Sequence, residues 1–301
     1  IPDPDVHLGV GSGSHGVQTG AILSALDGVL DEHRPDWVLV YGDTNSTLAA
    51  ALAAVKMHIR VAHLEAGLRS FNRAMPEEHN RVLTDHAADL LLAPTQVAIE
   101  HLAREGLAER SVLVGDVMTD VLYATRDAAA GDVGTLLAQA GLAPGGFYVA
   151  TVHRAENTDD AARLRWIADA LEALDKPVLL LAHPRLVARS AAAGITWGTG
   201  AVRLHEPLAY PELVAAVTAS AGVVTDSGGL QKEAFLLRVP TTTIRPETEW
   251  VETIELGWNV LANEPHEIAA AVARPAPPIT DATPYGDGRA AELVVDELLK
   301  R

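Results

Sequence analysis

The sequence contains no cysteine among its 301 residues. That excludes a disulfide framework, a thiol nucleophile and a zinc site built on thiolates. It is also short of positive charge, with 23 Lys and Arg against 40 Asp and Glu and a formal charge of −17. With so few cations, binding a nucleic-acid backbone is not its main task, because little would replace the condensed counterions. Small anionic ligands remain possible, since they need only a local cluster of donors. No apolar run approaches the roughly 20 residues of a membrane span. No basic-then-apolar leader precedes Asp3 and Asp5. The expected setting is therefore cytoplasmic, with neither nucleic acid nor membrane as partner. Short fixed-period repeats and low-complexity tracts are missing too. What is present is ordinary globular composition, 48% hydrophobic and 21% charged, long enough for about two domains.

The recurring pattern is a short β-branched or apolar run that ends in Gly or a polar residue, followed by an amphipathic stretch. Strands are predicted at Trp37–Tyr41, Arg60–Leu64, Leu90–Ala93, Ser111–Val114, Phe147–Val152, Pro177–Ala182, Ala201–Leu204, Gly222–Thr225 and Val239–Ile244. Helices are predicted between them, among others at Thr44–Met57, Glu77–Ala88 behind Pro76, Asp159–Leu174, Pro211–Ala219 and Leu230–Leu237. Alternation of this kind predicts an α/β protein with mostly parallel sheets. The Ala- and Gly-rich stretch Asp127–Gly146 separates a front set of strands from a back set. The reading is two Rossmann-like domains facing across a cleft, residues 1–115 and 116–283. A last helix in 284–301 is expected to pack back on the first.

Ligands of open parallel sheets bind outside the carboxyl ends of the strands. Asp43 and Glu65 follow two strands of the front set; His153-Arg154, His183 and Asp226-Ser227 follow strands of the back set. A single polar strand end is ordinary surface, but five with ionisable groups point to a site. Thr225-Asp-Ser-Gly-Gly-Leu-Gln-Lys-Glu233 opens a helix. Ser227, Gly228 and Gly229 can offer a hydroxyl and backbone amides to a phosphate, and Glu233 lies where it could accept from a ribose. A plain helix cap is the competing reading. Arg154 can bind phosphate in a bidentate manner and His153 can donate a charge-assisted bond or a proton. Gly11-Ser-Gly-Ser-His-Gly16 matches a dinucleotide fingerprint behind a short strand at Val6–Val10. The acid that should end the next strand is not in place, so a nicotinamide cofactor is not expected. His63 and Glu65 could share a face and hold a metal, but no third ligand is evident, and no metal is expected.

Six segments keep a familiar order: Tyr41-Gly-Asp43-Thr, His63-Leu-Glu65-Ala-Gly-Leu-Arg69, Met75-Pro-Glu77-Glu-His-Asn-Arg81, Thr151-Val-His153-Arg154, Asp226-Ser-Gly-Gly-Leu-Gln-Lys-Glu233 and Pro284-Tyr-Gly-Asp-Gly288. Together they resemble the non-hydrolysing UDP-N-acetylglucosamine 2-epimerases. The resemblance implies a GT-B-like pair of domains that interconverts UDP-GlcNAc and UDP-ManNAc through a 2-acetamidoglucal, with no cofactor and as a homodimer. Position by position it implies Asp43, Glu65 and Glu77 as acid–base groups and His153 at the leaving-group end. Arg81 matches the arginine behind the Glu-Glu pair. Ser227, Gly228 and Gly229 match the diphosphate loop, Glu233 matches the ribose glutamate, and Arg154 and Arg245 are further substrate-binding candidates.

There are departures. The family's opening strand, its Gly-Thr-Arg-Pro-Glu loop and a further βα unit have no counterpart, and the chain begins with Ile1. The expectation is a fragment of a longer product, or a first sheet completed by something else. Trp250 stands where other subgroups carry an arginine, and Arg245 is expected to take over. Three rivals share parts of this pattern. A hydrolysing relative would release free ManNAc and UDP. A GT-B glycosyltransferase would not need three carboxylates in the front domain. A catalytically impaired UDP-sugar binder would bind without exchanging the C2 proton.

Overall fold

The computed structural model describes residues 3–129 and 133–301. It divides into two compact units, the chain up to Asp120 with Thr283–Arg301, and Val121–Ala282.

The first unit runs α1 (His15–His33), β1 (Trp37–Tyr41), α2 (Asn45–Lys56), β2 (Arg60–Leu64), α3 (Pro76–Ala87), β3 (Leu90–Ala93), α4 (Gln96–Arg104), β4 (Ser111–Leu113) and the start of α5 (Val117–Ala129). Its four strands pair in parallel in chain order, β1-β2-β3-β4. β3 (LLLA) is buried throughout, as expected where helices cover both faces. β1 forms an edge of this sheet, and its Tyr41 is exposed. One core lies between the sheet and α1, α2 and α4, around Leu30, Ala51, Ala54, Leu91 and Leu102. On the other face Val294 and Leu298 of α14 (Ala290–Lys300) pack with Ala62, Leu64 and Leu90. The Asp120 carboxylate accepts from the first amides of α14, Ala290 N at 3.0 Å and Ala291 N at 2.8 Å.

The second unit contains α6 (Val133–Gln139), β5 (Tyr148–Thr151), α7 (Ala155–Thr158), α8 (Ala161–Glu172), β6 (Val178–Leu181), α9 (Pro184–Ala192), β7 (Val202–His205), α10 (Tyr210–Ala219), β8 (Gly222–Thr225), α11 (Gly228–Leu236), β9 (Thr241–Thr243), α12 (Val251–Glu255), β10 (Asn259–Leu261) and α13 (Pro265–Val272). Its six parallel strands lie in the order β7-β6-β5-β8-β9-β10. This is the doubly wound Rossmann order, and it reverses direction between β5 and β8. Separate cores fill the two faces, one around Leu164, Ile167 and Leu180, the other around Phe147, Leu179 and Val217.

The α/β class and the strand positions follow the sequence closely, with three differences. Val6–Val10 forms no strand; Gly9 adopts φ +68° and the segment is irregular up to α1. Without a strand, the Gly11–Gly16 match loses the context a dinucleotide loop needs. The supposed separator, Asp127–Gly146, holds the end of α5 and all of α6, with part of it, residues 130–132, outside the described residues. The three-residue β10 was not foreseen, since Asn259-Val-Leu is too short to show a period.

Candidate functional site

In the first unit the turns after β1 and β2 carry Asp43 and Glu65. Gly42 sits at φ +62° and Glu65 at φ +69°, a conformation uncommon for a residue with a Cβ. Gly42 donates its amide to the Leu64 carbonyl, joining the two turns (3.1 Å). A Cβ on Gly42 would lie 3.3 Å from Glu65 Oε2, so the glycine allows the carboxylate to lie close. Because Glu65 leaves the strand geometry, alternation does not place it on a shared face with His63. The His63 ring is fully buried, with Nδ1 2.6 Å from Asp85 Oδ1 and Nε2 2.8 Å from the Gly42 carbonyl. Both nitrogens are committed to these partners, so the sequence-derived metal reading has no free imidazole here.

Helix α3 supplies the other groups. Arg81 Nη2 donates to Asp43 Oδ2 at 2.5 Å, and Asn80 Nδ2 donates to the Asp43 carbonyl at 2.9 Å. Arg81 is buried, and its Nε has no acceptor among the described residues. The consecutive glutamates divide their tasks. Glu78 is buried and accepts from Ser70 N (2.9 Å), Ser70 Oγ (3.0 Å) and Phe71 N (3.0 Å). It thereby holds the loop into α3, including Phe71 at φ +59°. Glu77 is half-buried in the first turn of α3, and its carboxylate has no hydrogen bond or ion pair among the described residues. The helix dipole favours a negative charge there. The first turn of α1 reaches the same strand ends: Asn45 Nδ2 donates to Gln18 Oε1 (2.8 Å), and Asn80 Nδ2 donates to Asn45 Oδ1 (3.2 Å).

In the second unit the candidates flank the point where strand order reverses. Asp226, fully buried at the end of β8, accepts from His153 N (3.0 Å), Arg154 N (3.0 Å) and Asn157 Nδ2 (3.0 Å). It fixes the turn after β5 and leaves the His153 ring partly exposed, with Nδ1 3.2 Å from Asp226 Oδ1. The His183 ring lies 6.0 Å from it, centroid to centroid. Ser227 caps α11, its Oγ accepting from Leu230 N (3.4 Å), while nothing lies within 4 Å of where a Gly229 Cβ would be. Ser227, Gly228 and Gly229 thus present an open helix N-terminus suited to an anion. A Cβ on Gly228 would meet Glu249 Oε1 at 2.8 Å, and Glu249 Oε2 lies 3.1 Å from Arg245 Nη2. Burial would raise the Glu249 carboxyl, but the charges of Arg245 and Arg154 hold it below the usual glutamate value. Arg245 is therefore buried behind the loop. Glu233, one turn into α11, accepts from the Tyr210 hydroxyl at 2.9 Å.

Sequence reasoning missed the supports. Asp85, Glu78 and Asn157 carry no motif of their own. One signal was readable: α3 buries Glu78, Asn80, Arg81, Thr84 and Asp85 and has no apolar stripe, which is unusual unless its polar groups are all employed. A concavity of about 620 Å³ beside β7, lined by Leu136, Gln139, Arg203 and His205 among others, contains no carboxylate.

A glycine-opened helix at the switch point of a doubly wound sheet and a second parallel sheet with carboxylates at its strand ends define an α/β protein of two Rossmann-like units. Comparison with known proteins gives the family. The pattern of the UDP-N-acetylglucosamine 2-epimerase family matches residues 1–299. The chain belongs to that family. It is 43% identical over 309 residues to the UDP-2,3-diacetamido-2,3-dideoxy-D-glucuronate 2-epimerase of Pseudomonas aeruginosa, covering 100% of this chain and 85% of the relative. It is 38% identical to the UDP-N-acetylglucosamine 2-epimerase of Methanocaldococcus jannaschii, covering 98% and 84%. The solved M. jannaschii UDP-GlcNAc 2-epimerase, in complex with UDP-GlcNAc and UDP, superposes with a TM-score of 0.89 at 36% identity, covering 100% of this chain and 86% of that one. The Neisseria meningitidis enzyme bound to UDP-GlcNAc gives 0.83 at 28% identity, covering 96% and 83%. No described helix is long and apolar enough to cross a membrane.

Proposed function

We propose that this chain inverts C2 of a UDP-linked 2-acetamido sugar, interconverting UDP-GlcNAc and UDP-ManNAc. The second unit holds UDP: Ser227–Gly229 and Arg154 at the diphosphate, Glu233 at the ribose. The first unit supplies acid and base. A carboxylate among Asp43, Glu65 and Glu77 takes the C2 proton, the C1–O bond breaks, and UDP departs with the electron pair, leaving a 2-acetamidoglucal. A second group then delivers a proton to the opposite face of C2 while a UDP oxygen re-adds at C1. The C2–H is a very weak acid, so the base must be well placed and the charge developing on UDP must be held. His153 and Arg154, with their backbone fixed by Asp226, suit that task. The observation that carries the reading is Glu77: its neighbour Glu78 takes the structural bonds, and Glu77 has no hydrogen bond or ion pair among the described residues, one turn of α3 before the Arg81 that pairs with Asp43.

A specific feature favours a second substrate. By the resemblance, Trp250 stands where other subgroups carry an arginine, and the P. aeruginosa relative acts, by its name, on a diacetamido-glucuronate. Proton NMR in D₂O tests both. Incubation with UDP-GlcNAc, and separately with UDP-2,3-diacetamido-2,3-dideoxy-glucuronate, should put deuterium at C2 of at least one and yield its C2 epimer. Free ManNAc and UDP would assign hydrolysis instead, and UDP binding without exchange of either sugar would leave a binder.

A further inference from the structure

Beneath the turns that carry Asp43 and Glu65 runs a chain of buried charges. The Asp85 carboxylate accepts from His63 Nδ1 (2.6 Å), from the Gly67 amide (3.1 Å) and from Arg69 Nη1 (2.7 Å). Arg69 in turn grips Glu105 through Nε (2.7 Å) and Nη2 (2.8 Å). His63, Asp85 and Arg69 are almost completely buried. Burial would raise the Asp85 carboxyl, but the bond and charge of His63, then those of Arg69, hold it below the usual aspartate value. The Gly42 carbonyl can only accept, so the ring nitrogen that faces it, His63 Nε2, is the donor.

This arrangement pins two glycines. Gly42, just before Asp43, donates to Leu64 and accepts from His63 Nε2. Gly67, two residues after Glu65, donates to Asp85 and takes a bond on its carbonyl from His101 Nδ1 (3.0 Å). Both are in the left-handed region, at φ +62° and +83°. An ordinary core could be stabilised as well by apolar residues, because buried ion pairs seldom add net stability. What an apolar core lacks is a donor for the Gly42 carbonyl.

We infer that His63 is a positioning residue for the acid–base carboxylates, its Nε2–H fixing the Gly42 carbonyl and with it the placement of Asp43. The inference rests on the reading above that these carboxylates act on C2. Misplacement of a reacting group by about 1 Å costs on the order of 100-fold in rate, and the loss falls on kcat because His63 does not touch the sugar.

Two isosteric variants separate this role from bulk stability. His63→Asn keeps a donor at the Nδ1 position, towards Asp85. His63→Gln keeps one at the Nε2 position, towards Gly42. Both remove the ring, and Arg69 continues to neutralise Asp85. Expected are similar falls in Tm, unchanged UDP affinity and unchanged KM. The C2–H exchange rate should fall on the order of 100-fold in His63→Asn and recover most of that loss in His63→Gln. Equal exchange rates in the two variants, or His63→Asn exchanging like wild type, would overturn the inference. In wild-type protein, ¹⁵N NMR should show a proton on His63 Nε2; an unprotonated Nε2 overturns it independently of any variant. Absence of C2 exchange in wild type would instead strike the functional reading.

Discussion

The two units end their strands in different chemistry. The first turns at Gly42–Asp43 and Glu65 and supports both with buried polar and charged side chains: His63, Asp85 and Arg69 inside, Arg81 on Asp43. The second turns at His153–Arg154 and Ser227–Gly229, and there the Asp226 carboxylate and the Arg245–Glu249 pair are joined by neutral hydroxyls. Thr151 and Thr225 share a hydroxyl contact of 2.6 Å, and Ser227 N donates to Thr225 Oγ1 at 2.9 Å. The fully buried Asp226 carboxylate at the end of β8 is spent on backbone amides and Asn157. The difference matches the two tasks proposed above. Moving a proton on carbon needs carboxylates held to within fractions of an ångström. Holding a diphosphate needs amides and cations with little competing negative charge.

That division can be broken at either end. The largest effect is expected from Glu65→Gln, which keeps the shape and removes the charge. C2–H exchange should fall by about 1000-fold, measured by NMR in D₂O. Gly228→Ala comes next. Its Cβ would meet Glu249 Oε1 at 2.8 Å and disturb the Arg245–Glu249 pair behind the loop, so UDP should bind about tenfold more weakly.

The smallest effect is a pH dependence. Asp85 is lowered from 3.8, against the penalty of its burial, by His63 and Arg69. Glu105 is lowered from 4.5, chiefly by its bond from Arg69. A depressed folded value means the carboxylates stabilise the protein above their unfolded values and lose that contribution as pH falls through the folded ones. Wild-type Tm should therefore drop on acidification below about pH 4. Asp85→Asn should be less stable at pH 7 and lose less over that interval.

The sequence made the scaffold legible because parallel strands buried on both faces read as continuous apolar runs, LLLA and VLLL among them. The strand-end candidates were legible for a related reason: a polar residue at such an end stands out against its run. What could not be read was who supports whom. Asp85 meets His63 across 22 residues and Asp226 meets Arg154 across 72, and no local period records such distances. Glu77 and Glu78 are adjacent and chemically alike. Only the path of the loop between Ser70 and Met75 makes one a tether and leaves the other open.

The division of labour is tested most directly by titrating UDP calorimetrically into Glu65→Gln and Gly228→Ala beside wild type. The account predicts that Glu65→Gln binds UDP like wild type although it no longer exchanges C2–H, and that Gly228→Ala loses affinity. A Glu65→Gln variant that fails to bind UDP, with Gly228→Ala binding normally, would contradict it.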